Sequence, residues 1–452
     1  MQNKNISQFD KMTKTPVHKL IVTLSIPTVI SMLVTNIYNL VDTAFVGKLG
    51  NSASGAVGIV FGFMAIMQAI GFLFGQGSGS MISRKLGNKD PHQASIIAST
   101  GFFFSFLFSL IVTIISFIFI NQIVLFLGST ETIAPYAVTY ITFILFTSPL
   151  QVTTFTLNNI LRYEGKAFLG MIGMLSGAII NIFGDWLFMI VFNMGIAGAG
   201  LSTAISQTIS FSILLSSFIT GKTQVKLNFK FIDFNFKVPG EIIATGLPSL
   251  LRQGLSSICT ILLNTQAATY GDTAVAAMSI VSRIFFFIFS IAIGIGQGFQ
   301  PVSGYNYGAK KYKRIRSAYF FTAIFSEILM IILGSIVFIF AEKFVSIFRD
   351  DPVVISIATR ALKLQCAALL FLPVGMTTDM LFQSTGNKVQ ASILTSIRSG
   401  LFFIPLLIIL PAVRGLAGIQ EAQPVSFVIS FIPAIIMAAV FFKKMPKEDF
   451  NE

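Results

Sequence analysis

The sequence predicts an all-α membrane protein with twelve transmembrane helices in two parallel six-helix repeats. Three observations predict this class: a shortage of charge, a series of long apolar runs, and an internal similarity between the two halves. Of the 452 residues, 54% are hydrophobic and 11% are charged, and the mean hydropathy is +0.81. A soluble domain usually has about 25% charged residues, so this composition favours lipid as the surrounding solvent.

Twelve apolar runs are each long enough to cross a bilayer core, which takes about 20 residues of helix. The runs are Leu20–Val46, Ala56–Gly79, Ala94–Ile120, Ala134–Leu161, Ala167–Phe192, Ile196–Ile219, Ile242–Thr269, Ala274–Tyr305, Ala318–Ala341, Ile355–Thr385, Ala391–Pro411 and Leu416–Phe442. An even number of spans places both termini on the same side of the membrane.

The basic residues predict which side that is. Most Lys and Arg residues fall in alternate gaps, from the N-terminal segment to the gap at Lys310–Arg316 and the C-terminal Lys443–Lys447. The positive-inside rule assigns such gaps to the cytoplasm. We therefore predict a multi-pass protein of the cytoplasmic (inner) membrane of a prokaryote with both termini cytoplasmic. This placement accounts for the net charge of +13, so a nucleic-acid partner is not expected.

A shift of 221 residues aligns the sequence with itself. The matched positions are Pro27 with Pro248, Gly50 with Gly271, Gly75-Gln76-Gly77 with Gly296-Gln297-Gly298, Gly87 with Gly308, and Gly165 with Gly386. Glycine and proline set backbone geometry, so their recurrence indicates two copies of one fold. Each copy holds six spans and enters from the same side, which is the parallel arrangement found in some transporters.

The repeat predicts the domain organisation. Residues 1–220 form an N-terminal six-helix lobe, residues 221–240 a cytoplasmic linker, and residues 241–452 a C-terminal six-helix lobe. The linker segment Lys226–Lys237 is rich in Lys and Phe, a composition typical of a segment at the membrane interface.

Polar side chains within the N-terminal spans indicate a site. Asp42 lies on span 1, Asn181 and Asp185 lie one helical turn apart on span 5, and Thr203 lies on span 6. A charge at membrane depth costs at least about 2.5–3.5 kcal/mol, so each needs a reason. One interpretation is a site for a proton or a hard cation, which oxygen ligands suit. The alternative is a structural network of hydrogen bonds, and the residue pattern leaves both open.

The C-terminal spans carry different groups. Asp379 on span 10 is the repeat partner of Asn158, so the lobes are not chemically equivalent. Other intramembrane charges are Arg252, Arg283 and Glu327. The segment Gly296–Pro301, with Gln297 and Gln300, predicts a break in span 8, since proline interrupts the helical hydrogen bonds. A simple proline kink is the alternative, and the sequence leaves both open.

Several classes of protein are disfavoured. The sequence lacks a Walker-type phosphate loop, a His/Glu metal motif and a nucleophile triad, so neither an ATP-driven pump nor an enzyme is expected. The glycine-rich stretches Gly75–Gly79 and Gly294–Gly298 lie in apolar helices, where close helix packing is the expected role. No disulfide is expected between Cys259 and Cys366, which both lie in apolar runs.

Three stretches resemble one known family. They are Asn39–Gly47, Asn181–Asp185 with Gly195–Gln207, and Gly296–Gly308. In these stretches, and from about Pro16 to Lys444 as a whole, the sequence resembles the multidrug and toxic compound extrusion (MATE) family, and within it the MepA-like branch. The resemblance implies a V-shaped transporter fold of two six-helix bundles around a central cavity.

The resemblance also implies an activity and its residues. It implies secondary active multidrug efflux, in which H⁺ or Na⁺ antiport exports amphipathic, often cationic drugs. The implied cation-coupling residues, which are also the possible Na⁺ ligands, are Asp42, Asn181, Asp185 and Thr203. Candidates for a substrate cavity or a second cation site are Asn39, Asn158, Gln297, Gln300 and Asp379. Ser256 stands where other branches carry an acid on span 7, which puts a complete second cation site in doubt.

We expect no cofactor apart from the coupling ion. The expected partners are small-molecule drugs or toxic organic cations and membrane lipids, and the expected state is a monomer. One alternative is a lipid-linked oligosaccharide flippase of related fold, for which Arg252 and Arg283 are the candidate contacts to a pyrophosphate. Membrane enzymes and passive channels are further alternatives that flux measurements would separate.

Overall fold

The structure is a computed structural model that describes residues 7–449, so the first six and last three residues of the predicted lobes lie outside it. Within residues 7–449 the regular secondary structure is entirely helical. The helices are α1 (Gln8–Lys14), α2 (Val17–Gly47), α3 (Asn51–Gly87), α4 (Pro91–Ile118), α5 (Ile120–Phe126), α6 (Ala134–Tyr163), α7 (Ala167–Asp185), α8 (Gly195–Ile219), α9 (Lys237–Ala268), α10 (Asp272–Gly308), α11 (Tyr312–Ile339), α12 (Ala341–Ser346), α13 (Pro352–Ala368), α14 (Leu372–Thr385), α15 (Lys388–Ser396), α16 (Phe403–Arg414) and α17 (Leu416–Lys444).

Short segments of other helical types connect some of these elements. A π-helical turn at Trp186–Val191 extends α7, and another at Ile397–Leu401 joins α15 to α16. A 3₁₀ turn at Leu369–Phe371 joins α13 to α14. With these connections, Ala167–Val191, Pro352–Thr385 and Lys388–Arg414 are each one helical span.

Eleven of the described helical segments are long and apolar enough to cross a membrane. The twelfth predicted span, Ile242–Thr269, coincides with α9, which has 32 residues but does not reach the same apolar threshold. The reason is local, because Arg252, Gln253 and Gln266 fall within its apolar stretch. A span of this kind needs neighbouring helices to shield its polar groups.

The chain divides by internal contacts into two compact units. We call residues 30–250 the first unit and residues 1–29 with 251–452 the second unit. These bounds differ from those of the predicted lobes, because α2 and α9 each contribute to both units. The lobes predicted at 1–220 and 241–452 remain a prediction about the repeat, and the units describe packing.

In the first unit, glycines on α3 admit large side chains from α6. A Cβ atom on Gly75 would lie 2.8 Å from Asn159 Nδ2, and one on Gly71 would lie 2.7 Å from Phe155 Cβ. Gly79 meets the ring of Tyr163 in the same way. These glycines recur every four residues, so they form one face along which α6 packs closely. The predicted packing role of this glycine-rich stretch is confirmed.

The second unit repeats this contact with different side chains. Its Gly296, the repeat partner of Gly75, packs against Met380 of α14, and Gln300 Nε2 donates to Gln383 Oε1 at 3.1 Å. The contact between α10 and α14 therefore corresponds to the contact between α3 and α6.

Other glycines form the contacts of the first parts of α2 and α9, which belong to a different unit from the rest of each helix. In the first unit, Gly246 of α9 packs directly on the backbone of Leu73, and Gly77 packs on the Ile242 carbonyl. In the second unit, Gly298 and Gly294 of α10 pack on the first part of α2. A Cβ on Gly298 would meet Ser25, and one on Gly294 would lie 2.7 Å from Val29 Cα. Because any larger residue would push the helices apart, glycine is required at these contacts.

The predicted break in span 8 is wrong. Helix α10 runs without interruption from Asp272 to Gly308 and includes Pro301. Pro301 lacks an amide hydrogen, but a single missing bond in a long, well-packed membrane helix is tolerated. Gln297, Gln300 and Pro301 are buried in this helix and do not mark an unwound segment.

The linker after α8 is fastened to α4 by hydrogen bonds. The Ser95 hydroxyl accepts a hydrogen bond from the Lys226 amide, and the Ser99 hydroxyl accepts one from the Asn228 amide, both at 3.0 Å. Phe229, Phe234 and Phe236 are largely exposed, and Phe229 and Phe234 pack edge-to-face on Phe103. The interface position predicted for this segment remains a prediction.

Candidate functional site

Two carboxylic acids lie buried in the first unit. Asp42, on the second part of α2, is 3% exposed, and Asp185, the last residue of α7, is fully buried. The two groups interact with each other and with the phenols of Tyr38 and Tyr140. Tyr140 of α6 donates a long hydrogen bond of 3.5 Å to Asp42 Oδ2. Three helices, α2, α6 and α7, thus place two acids and two phenols together.

Among residues 7–449, several oxygen atoms of this cluster have no donor within hydrogen-bond distance. They are Asp42 Oδ1, both carboxyl oxygens of Asp185, and Asn181 Oδ1. Buried polar atoms are nearly always hydrogen-bonded, because leaving them unpaired costs free energy. Unpaired acceptors of this number, all of them hard oxygens, are the arrangement that a proton or a small cation would satisfy.

Asn181 and Thr203 join the cluster through the contact between α7 and α8. Asn181 Nδ2 donates to Ser202 Oγ and Thr203 Oγ1, both at 3.3 Å, and Ser202 Oγ donates to the Asn181 carbonyl at 2.8 Å. Gly184 allows this approach, since a Cβ there would lie 3.1 Å from Ser202 Cβ. The structure therefore brings the four predicted coupling residues into one region, with the Asn181 oxygen left free to accept.

A small cavity adjoins these residues within the first unit. Its volume is about 50 Å³, and its polar lining includes Tyr38, Gln151, Asn181, Thr203 and Gln207. This space is large enough for a water molecule or an ion. Cavities that hold drug-sized ligands are roughly 300–1,000 Å³, so the cavity suits an ion and not a drug.

Among the described residues no three His, Cys, Asp or Glu side chains are placed to hold a metal ion. A metal cation bound here would therefore use two carboxylates and neutral oxygens, and a proton would need only the carboxylates.

The backbone at Asp185 is distorted. The π-helical turn Trp186–Val191 starts directly after this residue. Such wide turns are rare in α-helices and are frequent at functional sites, where they redirect side chains. Trp186 itself is 45% exposed and packs on Phe183, so it lies on a different face from the acids.

The other predicted site residues are dispersed. Asn39 is half-buried one turn before Asp42, and Asn158 packs its Oδ1 against Gly170 of α7. In the second unit, Gln297 is buried, and Gln300 bonds to a glutamine of α14. The substrate-cavity role predicted for these four residues remains a prediction.

Asp379 lies in a separate buried cluster of the second unit. Its Oδ2 accepts from Arg252 Nη1 at 3.3 Å and from Arg398 Nη2 at 3.2 Å. Its Oδ1 accepts from the hydroxyl of Thr395. A carboxylate already shared by two positive charges is a poor ligand for a further cation, which argues against a second cation site at Asp379.

Three residues of these clusters were not predicted from the sequence. Tyr38 and Tyr140 complete the acidic cluster, and Arg398 completes the Asp379 cluster. Arg398 had a usable signal, since an arginine inside the run Ala391–Pro411 is costly in a membrane. The tyrosines had none, because tyrosine is common in apolar helices. Arg283 is exposed and belongs to neither cluster.

Known proteins share this architecture. A MATE protein in complex with MaL6 has a TM-score of 0.93 to this chain at 24% identity, with 98% of this chain and all of that chain covered. A MATE protein in the straight conformation has a TM-score of 0.91 at 25% identity, covering 98% and 99%. These similarities show the fold, and the predicted fold class is confirmed.

Sequence similarity gives the family. Multidrug export protein MepA of Staphylococcus aureus is 29% identical over 420 residues, which are 93% of this chain and 92% of that protein. The MatE family model matches residues 27–187 and 248–409, one segment in each half and together well over half of the chain. With the helical spans and the fold, this match confirms the predicted membership: the chain belongs to the MatE family of membrane transporters.

Proposed function

We propose that this chain is a secondary active efflux transporter that exports amphipathic, often cationic drugs in exchange for H⁺ or Na⁺. The observation that carries the proposal is the buried pair Asp42 and Asp185, whose unpaired oxygens lie beside Asn181 and Thr203. The export activity in the name of the similar staphylococcal protein supports the direction and the cargo.

The acidic cluster supplies the coupling step. Two neighbouring buried carboxylates repel each other when both are ionised. Binding one proton or one cation between them removes this repulsion and gives the unpaired oxygens a partner. Because Asp42 lies on α2 and Asp185 on α7, the bound ion links these two helices. Release of the ion restores the repulsion between the two carboxylates. We propose that the resulting change in α2 alters the affinity for the drug.

The driving force is sufficient for export. One elementary charge moving inward across the membrane supplies about 2.3 kcal/mol per 100 mV. A tenfold concentration gradient of a neutral compound costs about 1.4 kcal/mol. One ion per molecule therefore supports a useful gradient of a neutral or zwitterionic compound. For a monovalent cation the same exchange moves no net charge, so the concentration gradient of the coupling ion, or a second ion, must drive export.

The proposed orientation places both termini and the linker in the cytoplasm of a prokaryotic cell. The basic gaps support this side, and the linker bonds to the first part of α4, which directly follows the basic gap Arg84–Lys89. Cysteine labelling from each side, with a single cysteine at Lys230 or at Asp350, tests the orientation.

The coupling experiment uses purified protein in proteoliposomes with an imposed proton or sodium gradient and a fluorescent cationic dye. We expect dye movement with one of the two gradients, and we expect Asp42→Asn and Asp185→Asn to reduce it at least tenfold. The matched control is Asp350→Asn, because Asp350 is exposed in a loop. Undiminished gradient-driven transport in both cluster variants would refute the assignment.

A further inference from the structure

The second unit contains a buried cluster with more positive than negative charge. Arg252 of α9, Asp379 of α14 and Arg398 of the π-helical turn come from three different helical spans. Asp379 is fully buried, Arg398 is 6% exposed and Arg252 is 9% exposed. Both guanidinium groups contact the same carboxyl oxygen, so two positive charges share one negative charge.

Both oxygens of the Asp379 carboxylate already accept hydrogen bonds. Its Oδ2 accepts from both arginines, and its Oδ1 accepts from Thr395. Arg398 has donor capacity beyond its bond to Asp379, because a guanidinium has five N–H donors in a planar fork. Arg398 Nε in particular is buried without a hydrogen-bond partner. A donor left over at this depth calls for an acceptor.

The backbone supports a built site. Arg398 lies inside the π-helical turn Ile397–Leu401, a distortion that redirects side chains and is frequent at functional sites. Gly400, in the same turn, packs closely on Leu255 of α9, since a Cβ on Gly400 would lie 3.0 Å from Leu255 Cδ2. This contact fixes the turn against the helix that carries Arg252, so both arginines have defined positions.

We propose that the Arg252–Asp379–Arg398 cluster binds a carboxylate group carried by a transported compound. The charge left over is a single positive one, which matches a monovalent anion. The geometry that Asp379 adopts, with guanidinium donors on a planar carboxylate, is the geometry that a second carboxylate would take. The proposal rests on the transport function above and extends the cargo to zwitterionic compounds.

Equilibrium binding tests the site without any ion gradient. The probe is benzoate, titrated into purified full-length protein at constant ionic strength, with chloride as the competing anion. We expect saturable binding that chloride competes for weakly, and at least tenfold weaker binding in Arg398→Gln. This variant leaves Asp379 paired with Arg252, so its charges balance and it is expected to fold. Arg283→Gln, which changes an exposed arginine, is the matched control and should bind benzoate like the unchanged protein.

Arg398→Lys gives a second measurement, since it keeps the charge and loses the planar fork. It should also weaken benzoate binding. Equal affinity for benzoate in all variants, or equal competition by chloride, would overturn the carboxylate assignment. Because no gradient is present, these results are independent of whether ion-coupled transport is confirmed.

A pair of dyes separates a carboxylate on the cargo from a free anion. Rhodamine B carries a carboxylate, and its ethyl ester carries none on the same cationic ring system. If the cargo supplies the anion, Arg398→Gln lowers transport of rhodamine B at least fivefold relative to the ester, and benzoate inhibits only rhodamine B. If benzoate affects both dyes equally, the cluster binds a free solute anion and the cargo assignment is wrong.

Discussion

The acidic cluster of the first unit and the arginine cluster of the second unit lie on equivalent helices of the repeat. Asp42, Tyr140 and Asp185 come from spans 1, 4 and 5, and Arg252, Asp379 and Arg398 come from spans 7, 10 and 11. Each cluster lies beside a π-helical turn in the last of its three spans.

The clusters differ in charge. The first unit holds two acids with neutral neighbours, and the second holds one acid with two bases. Glycine contacts are repeated between the units, as with Gly75 and Gly296, while the charged residues are not. Duplication thus kept the residues that determine helix packing, while the buried charged residues stand at different positions in the two halves. Asp42 corresponds to Leu263, and Arg252 corresponds to Ser31.

The largest expected contrast is in stability. Asp379→Asn removes the acid that pairs with two buried arginines in this cluster, and breaking a buried ion pair in this way costs about 3–5 kcal/mol. Asp185→Asn removes a carboxylate whose oxygens are unpaired, so its cost should be below about 1 kcal/mol. Thermal unfolding of both variants in detergent measures the difference. Equal losses would mean that the two acids play the same structural role.

The next contrast concerns the glycine contacts, where the units should respond alike. Gly246→Leu and Gly298→Leu each force a side chain into a neighbouring backbone, and overpacking costs about 1–3 kcal/mol or more. Both should lower the amount of folded protein to a similar extent. Gly58→Leu is the control, since Gly58 has open space around it. A loss confined to one of the two contacts would show that packing, too, differs between units.

A third test uses Glu164, whose repeat partner is Thr385. Burial raises the pKa of Glu164, at the end of α6, to about 7 despite the backbone amides of Gln224 and Val225 that donate to it. The unfolded chain ionises this group near its ordinary value of 4.5. Stability should therefore fall as the pH rises from about 4.5 to about 7, by on the order of 1–3 kcal/mol.

Unfolding at pH 5 and at pH 8 measures this effect. Glu164→Gln should weaken the dependence on pH, while Thr385→Val, at the equivalent position, should leave it unchanged. An identical dependence in Glu164→Gln and the unchanged protein would assign the titration to another group.

The smallest expected effect is at Tyr140. Tyr140→Phe removes a 3.5 Å hydrogen bond to Asp42, and a bond of this length contributes about 0.5–1.5 kcal/mol at most. We expect the concentration of coupling ion that gives half-maximal dye efflux to rise threefold to tenfold. Tyr136→Phe, on the exposed part of α6, should behave like the unchanged protein.

Much of the fold was predictable from composition and from the repeat, since both depend on local chemistry. The spans, the family and the proximity of Asp42, Asn181, Asp185 and Thr203 follow from apolar length, glycine spacing and the resemblance. The failures are physical too. Pro301 was expected to break α10, but that helix continues through it from Asp272 to Gly308.

The arginine cluster was not predicted as a cluster for a related reason. Arg252 and Asp379 were each identified, but they are more than a hundred residues apart, and sequence alone gives no distance between spans 7 and 10. The π-helical turns also escaped prediction, because a single inserted residue in an apolar run leaves no pattern of polarity.

The passage of α2 and α9 through both compact units affects how the protein is made. A break in the linker would separate the start of α2 from Gly294 and Gly298, and the start of α9 from Leu73 and Gly77. Each fragment would then keep one helix end whose packing partners lie on the other fragment. Neither half is therefore a complete folding unit. During synthesis the first six spans must wait in the membrane until residues 237–250 have been inserted before their own packing is finished.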